Sequence, residues 1–323
     1  MAFRVLKTAM IVNSRLDGDL MDEYDVIIVG SGPAGLTAGI YAGRQGLKTL
    51  ILEKGITGGL GLTVPNMENY PGYELIPGKL LIEYTKKQTL KYAKINEMEE
   101  VKKIEVTGKD EIKVSSKKNE YKARSVILCT GSTHRKLGVP GESEFLGRGV
   151  FYCAVCDGPL FVGKKILVVG GGNTAIQGAL YLDNIGAYVA IAHRRDEFRA
   201  EKYLQEKLQE KEIAVMWDTI VDEINGNMAI EGVTLLNKKT NEKTEYNVDG
   251  VFIAVGDIPS NNLAVDSGVK VDQRGYIITD KSQKTNIKRI YSAGDITVGV
   301  NQWVVACAEG AVAALSADND LMR

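Results

Sequence analysis

A strand, a glycine turn and a helix occur in that order twice along this chain. YDVIIVGSGPAGLTAGIYAGRQG (Tyr24–Gly46) is the first instance, and KKILVVGGGNTAIQGALYLDNIGAYVAIAHRR, from Lys164, is the second. The unbroken apolar run VIIV suits a strand covered on both faces, as in a parallel sheet. Gly30-x-Gly32-x-x-Gly35 closes the first turn and Gly170-x-Gly172-x-x-Ala175 the second. In such turns the first glycine permits the bend, the second lets a pyrophosphate reach the backbone, and the third lets helix and strand pack closely. The phosphate rests on the helix N-terminus, where free N–H groups and the dipole favour an anion. The fold this predicts is α/β, with two Rossmann-like dinucleotide-binding domains.

The residue ending the second strand of each unit separates the two ligands. In KTLILEKG it is Glu53, a carboxylate placed to accept a hydrogen bond from a ribose 2′-hydroxyl. In HRRDEFRA it is replaced by positive charge: His193, Arg194, Arg195 and Arg199. A carboxylate there would repel a 2′-phosphate, whereas guanidinium groups bind one bidentately. The second unit therefore reads as an NADP(H) site. Two sites in one chain imply two different dinucleotides, and AGDIT points to FAD for the first. Gly294 and Asp295 follow the strand RIYSA, where an aspartate can bond a ribityl hydroxyl.

The remaining organisation fits one domain inserted into another. Two hinge-like stretches, Thr130–Gly141 and Val255–Asn262, lead into and out of the second unit. The expected division is an extension at 1–21, an FAD domain formed by 22–134 and 261–323, and an NADPH domain at 135–260. A helix is expected from about Pro71 to Ala93. The alternating run Glu100–Gly131 reads as a small sheet laid on the first domain. Residues 1 to 20 read as a dispensable extension, or as the product of a mis-chosen start codon with Met21 as the real start; an organelle-targeting segment is the less favoured alternative.

Composition narrows the setting. A net charge of −1 gives no case for nucleic acid or an anionic membrane, and no apolar run reaches the length of a membrane helix, about 18 residues. Four cysteines in 323 residues form no disulfide framework, so a reducing cytoplasm is the expected compartment.

Two of those cysteines, Cys153 and Cys156, stand in FYCAVCDGPLF with Asp157 directly after. A structural zinc site needs about four ligands. The other candidates, Cys129, Cys307, His134 and His193, are scattered singly, so no metal is expected. A permanent staple is disfavoured in a reducing compartment. A redox dithiol remains, with a helix start to lower one thiol pKa and Asp157 in reach to move a proton. Cys129 and Cys307 read as packing residues, Trp303 as packing or a subunit contact, and His134 as a surface or cap residue.

GSGPAG, ENYPG, CAVCDG, GGGNTA, HRRDEFRA and AGDIT occur together, in order, from about Tyr24 to the end. With these motifs the sequence resembles the low-molecular-weight thioredoxin reductases. The resemblance implies a homodimeric flavoprotein that passes electrons from NADPH through FAD to Cys153–Cys156, and on to thioredoxin or a glutaredoxin-like protein. It also implies that Cys156 faces the flavin, that Cys153 attacks the partner, and that the inserted domain rotates within each cycle between a flavin–disulfide and a flavin–nicotinamide arrangement. It carries over as FAD contacts Gly30, Ser31, Gly32, Pro33, Ala34, Gly35, Glu53, Lys54, Gly58, Gly59, Leu60, Asn69, Thr130, Gly131, Gly294, Asp295, Gln302 and Trp303. For NADPH it carries over Gly170, Gly172, Asn173, Thr174, His193, Arg194, Arg195 and Arg199. Four places depart from the family pattern. Leu60 replaces a usual Gln, Gln177 and Gly178 replace an acidic pair, Asn301 replaces an Arg, and Trp303 replaces a small residue. Because of Gln177 and Gly178, a donor such as NADH, ferredoxin or a deazaflavin stays open. A non-enzymatic NADPH-sensing flavoprotein is the alternative from another class.

Overall fold

The computed structural model describes residues 21–322, so the reading of residues 1 to 20 lies outside the described residues. Strand β1 (Asp22–Val29) runs into helix α1 (Pro33–Arg44) and returns as β2 (Thr49–Leu52). The VIIV run is a strand buried on both sides. Ile27 and Val29 join one core, while Val26 and Ile28 face the opposite one, packed with Ala34, Ala38 and Ala42 of α1.

The chain continues through a 3₁₀ turn (Gly59–Thr63), α2 (Gly78–Thr89) and strands β3 (Lys94–Asn96), β4 (Val101–Gly108), β5 (Glu111–Ser116) and β6 (Glu120–Leu128). Two expectations need correction here. The helix begins at Gly78 rather than near Pro71, because the stretch before it is held as turns, with Met67 and Ile76 bridged to each other. The alternating strands are not a separate layer either. β6 pairs in parallel with β1 (Val26↔Ser125 to Val29↔Leu128), and β5 and β4 extend the same sheet antiparallel from it. The central position of β6 explains its sequence: its second half, Ser125–Leu128, is wholly buried.

A short strand β7 (Ser132–His134) leads to a second sheet, which starts with β8 (Val150–Phe151) and helix α3 (Ala154–Asp157). β9 (Lys165–Gly170), α4 (Asn173–Asn184), β10 (Tyr188–Ala192), α5 (Lys202–Glu210) and β11 (Ala214–Met216) follow. Then come β12 (Thr219–Gly226), β13 (Ile230–Asn237), β14 (Lys243–Asn247) and β15 (Gly250–Ala254). The parallel order is β11-β10-β9-β15-β8, and β12-β13-β14 form an antiparallel flap beside it. β16 (Asp257–Pro259) brings the chain back and α6 (Asn262–Asp266) follows. β17 (Ile290–Ser292) then joins β6 in parallel, and α7 (Trp303–Leu321) packs on α1.

The two crossings between sheets are one ribbon. β7 and β16 pair antiparallel, with Asp257 opposite His134. The Thr130 hydroxyl donates to the Ser260 carbonyl (2.9 Å), and the Ser260 N–H to that of Gly131 (2.9 Å). His134 is half-buried rather than free on the surface. Its Nδ1 lies 3.0 Å from Asp257 Oδ1, and its ring stacks on Tyr152 at 5.8 Å, one residue from Cys153. Among the described residues no helix is long and apolar enough to cross a membrane.

Candidate active site

The first cluster forms where β1, β6 and β17 end. Gly30 has φ +104°, and a Cβ there would stand 2.2 Å from the Cys129 carbonyl oxygen, so no larger residue could let the chain turn. Ser31 is fully buried and donates through both its N–H (2.8 Å) and its hydroxyl (2.9 Å) to Glu53 Oε2. Glu53 Oε1 accepts from the Gly55 N–H (3.0 Å), so the carboxylate is fixed from behind. The Gly58 N–H donates to the Ser31 carbonyl (3.0 Å), and the Cβ position of Gly59 lies 3.5 Å from the Gly32 Cα, which brings both glycine turns together. Gly294 (φ +84°) packs its open side on Ala34.

Residues far apart in sequence meet at the rim. Asn69 Nδ2 donates to Gln302 Oε1 (3.2 Å), although 233 positions separate them. The Trp303 ring packs edge-on against Tyr70 at 6.4 Å, and a Cβ on Gly61 would come within 2.7 Å of it. The bulky Trp303 is thus matched by the glycine beneath it. Lys54 is exposed and Leu60 half-buried.

Asp295 is pushed up to about 6, first by burial and then by the charges of Asp257 and Glu309. Glu309 escaped sequence reasoning. From α7 its Oε2 accepts from the Gly294 N–H (2.7 Å) and the Thr297 hydroxyl (3.1 Å), clamping the turn that carries Asp295. No short motif marks it, because the clamp spans a strand-to-helix connection.

The second cluster lies at the carboxyl ends of β9, β10 and β11. Arg194, Arg195 and Arg199 are exposed, and none makes a side-chain hydrogen bond or ion pair with the described residues. His193 departs from expectation. It is buried, and its Nε2 lies 3.0 Å from the Glu197 carbonyl oxygen. Burial lowers its pKa despite that contact, and the three arginines lower it further, so it does not add to their positive charge. Its ring fills the space over Gly171, where a Cβ would come within 2.3 Å of it. The Asn173 side chain is paired with Glu201 (2.7 and 2.9 Å), and Thr174 is exposed. Gly178 is explained by packing: its Cβ position falls 2.2 Å from the Phe252 ring, leaving no room for the acidic residue usual in the resemblance.

One observation tests whether these clusters hold dinucleotides. Gly32 (φ −72°) and Gly172 (φ −101°) need no glycine for their backbone, and a Cβ at either would meet no protein atom within 4 Å. Nothing among the described residues requires glycine at these two places, whereas a pyrophosphate approaching the backbone would. Gly32→Ala is therefore expected to leave the melting temperature unchanged and lose FAD. Gly172→Ala should keep FAD and weaken the second nucleotide at least about tenfold, read by flavin absorbance and titration. Loss of fold in either variant would contradict this.

Between the clusters lies the disulfide. Cys153 and Cys156 are bonded, with Cα atoms 5.3 Å apart. Cys153 caps α3, and its Sγ accepts the Cys156 N–H at 3.0 Å. An N–H aimed at sulfur, at a helix start, favours the thiolate once the bond is reduced. Cys156 is exposed and Asp157 half-buried, and burial raises the Asp157 carboxyl pKa. α3 stands against the Gly59–Thr63 turn of the first cluster. Cys129 is buried, which pushes its thiol up. Cys307 lies partly buried on α7 with its sulfur 3.9 Å from the Pro33 carbonyl oxygen.

A family model described as pyridine nucleotide-disulphide oxidoreductase matches residues 24–310. The Bacillus subtilis (strain 168) thioredoxin reductase is 42% identical over 300 residues, covering 91% of this chain and 93% of that protein. The chain belongs to the low-molecular-weight thioredoxin reductases. Among solved structures, T. acidophilum thioredoxin reductase is similar at a TM-score of 0.91 and 38% identity, covering 93% of this chain and 99% of that one. The Streptococcus pyogenes MGAS5005 enzyme is 39% identical with 93% and 98% covered, yet its TM-score is 0.62. Membership in this family brings with it a flavin and a pyridine nucleotide.

Proposed function

We propose that this chain is a flavoenzyme that reduces a disulfide of thioredoxin, or of a thioredoxin-like protein such as a glutaredoxin, with NADPH as donor and FAD as bound carrier. The observation that carries the reading is the placement of Cys153–Cys156. Its helix rests against the Gly59–Thr63 turn of the first cluster, while the same sheet bears the second glycine turn. Ser31, Glu53, Gly59, Asp295 and Gln302 would hold FAD, and Gly172 with Arg194, Arg195 and Arg199 would hold NADPH. When bound, these two cofactors supply an electron pair to the disulfide.

The chain's own residues do the exchange. The Cys153 thiolate attacks one sulfur of the partner disulfide, whose S–S bond breaks as a mixed disulfide forms. Cys156 then attacks Cys153, the intramolecular bond re-forms, and the partner leaves as a dithiol holding two more electrons and two protons. Asp157, kept protonated to higher pH by burial, donates a proton to a leaving sulfur.

The inserted body, residues 135–260, rotates on the β7–β16 ribbon in this proposal, since it carries both the disulfide and the second nucleotide site. The pair of TM-scores, 0.91 and 0.62 at nearly equal identity and coverage, supports it. Two rigid bodies swung about a ribbon keep their folds while superposition follows only one of them. A homodimer in a reducing cytoplasm is the expected setting.

The test is an anaerobic titration of the yellow protein with NADPH, followed by flavin absorbance. Uptake of about four electrons per flavin is expected, two for each centre. Reduction by dithionite but not by NADPH would overturn the donor and move the search to NADH, ferredoxin or a deazaflavin.

A further inference from the structure

The two glycine-turn units repeat each other more closely than their sequences do. In the first, Glu53 N–H donates to the Asn96 carbonyl (2.9 Å), Glu99 N–H to that of Glu53 (2.7 Å), and Met98 N–H to that of Gly55 (3.0 Å). In the second, His193 N–H donates to the Met216 carbonyl (3.0 Å), Thr219 N–H to that of His193 (2.9 Å), and Asp218 N–H to that of Arg195 (3.1 Å). Met98 and Asp218 even share the left-handed conformation, at φ 56° and 54°. Trp217 is therefore the counterpart of Glu97, the residue that leaves the third strand beside the ribose-binding turn.

The two side chains are used differently. Glu97 is taken up by protein, accepting from the Thr57 N–H (2.7 Å) and from Lys86 (2.7 Å). Trp217 is 37% exposed. It packs on Phe198 at 4.5 Å and meets the His193 ring edge-on at 6.1 Å. The three unpaired arginines lie around that same histidine. Lys239 reaches Asp218 (2.8 Å) and Asp196 (3.6 Å), tying the Trp217 loop to the arginine loop. A flat, partly exposed indole beside three guanidinium groups that have no side-chain partner among the described residues, at the carboxyl ends of parallel strands, matches an aromatic base carrying phosphate.

We propose that Trp217 is the stacking surface for the adenine of the donor nucleotide, with Arg194, Arg195 and Arg199 taking its 2′-phosphate. The inference rests on the NADP(H) reading of the second site and adds the residue that recognises the base. Trp217 thereby acts on affinity for the adenosine half and not on the transfer of electrons.

Adenosine 2′,5′-bisphosphate, which has no nicotinamide, and NADP+ are titrated calorimetrically into the holoenzyme and into W217A and W217F. Loss of a stacked base weakens both ligands in W217A by about tenfold, and W217F restores most of it. The KM for NADPH rises by the same factor while kcat holds. Wild-type affinity for both ligands in W217A overturns the proposal with the nucleotide site intact. A loss seen with NADP+ but not the bisphosphate also overturns it, since the contact would lie on the other half. Failure of the wild-type protein to bind the bisphosphate overturns the 2′-phosphate reading, and this proposal with it. Should W217A not fold, Trp217→Leu, which keeps apolar packing on Phe198, replaces it with the same outcomes.

Discussion

Cys156→Ser is expected to lower thioredoxin-dependent turnover by about 10⁴-fold or more, the scale set by removal of an essential covalent group. The same variant should accumulate a mixed disulfide with thioredoxin through Cys153. The geometry gives the asymmetry: Cys153 Sγ is the sulfur that receives the Cys156 N–H and caps α3, so it is the better thiolate and the better attacker. With serine at 156 nothing resolves the adduct. Cys153→Ser should be equally inactive but form no adduct. FAD content should be normal in both, because neither cysteine helps build the turn around Gly30 and Gly32. Gel shift under non-reducing conditions and flavin absorbance read these outcomes. Adducts in Cys153→Ser but not in Cys156→Ser would reverse the two roles, and sustained turnover in either would remove the dithiol from the reaction. A nucleotide sensor would keep its NADPH response in both variants and show no turnover in the wild type.

Locking the two bodies together should cost about 100-fold in turnover if a domain motion is part of every cycle. The contact to exploit is Lys207 of α5 with Glu68 of the loop before α2, whose charged atoms are 2.9 Å apart. Both side chains are about a third exposed, so the pair contributes little and can separate each cycle. Glu68→Cys with Lys207→Cys, bridged by a short bis-maleimide while Cys153 and Cys156 are oxidised, holds the bodies in the arrangement described. FAD should stay bound and turnover should collapse, whereas each single variant carrying the same reagent should remain active. Full activity of the bridged protein would falsify the rotation and leave the chemistry to a static site.

The motifs legible in the sequence are those whose physics is local. The turn at Gly30, the C-x-x-C pair of Cys153 and Cys156, and the buried VIIV strand depend on residues within one short segment, so their spacing is enough to identify them. Arg194, Arg195 and Arg199 were equally readable, because those side chains remain exposed and make no side-chain hydrogen bond or ion pair with the described residues. Other features belong to contacts between distant segments. β4 and β5 join the main sheet because β6 lies beside β1. His193 is withdrawn from the charged cluster because Gly171 leaves room for its ring. The two hinges become a ribbon tied by His134 and Asp257, and Glu309 reaches Gly294 from another element. Sequence alone determined where the two strand–glycine-turn–helix units and the cysteine pair lie, since backbone conformation and charge at a turn are local properties. Only the tertiary structure decided which side chains remain free to meet a ligand, because burial and pairing depend on what packs against each residue from elsewhere in the chain.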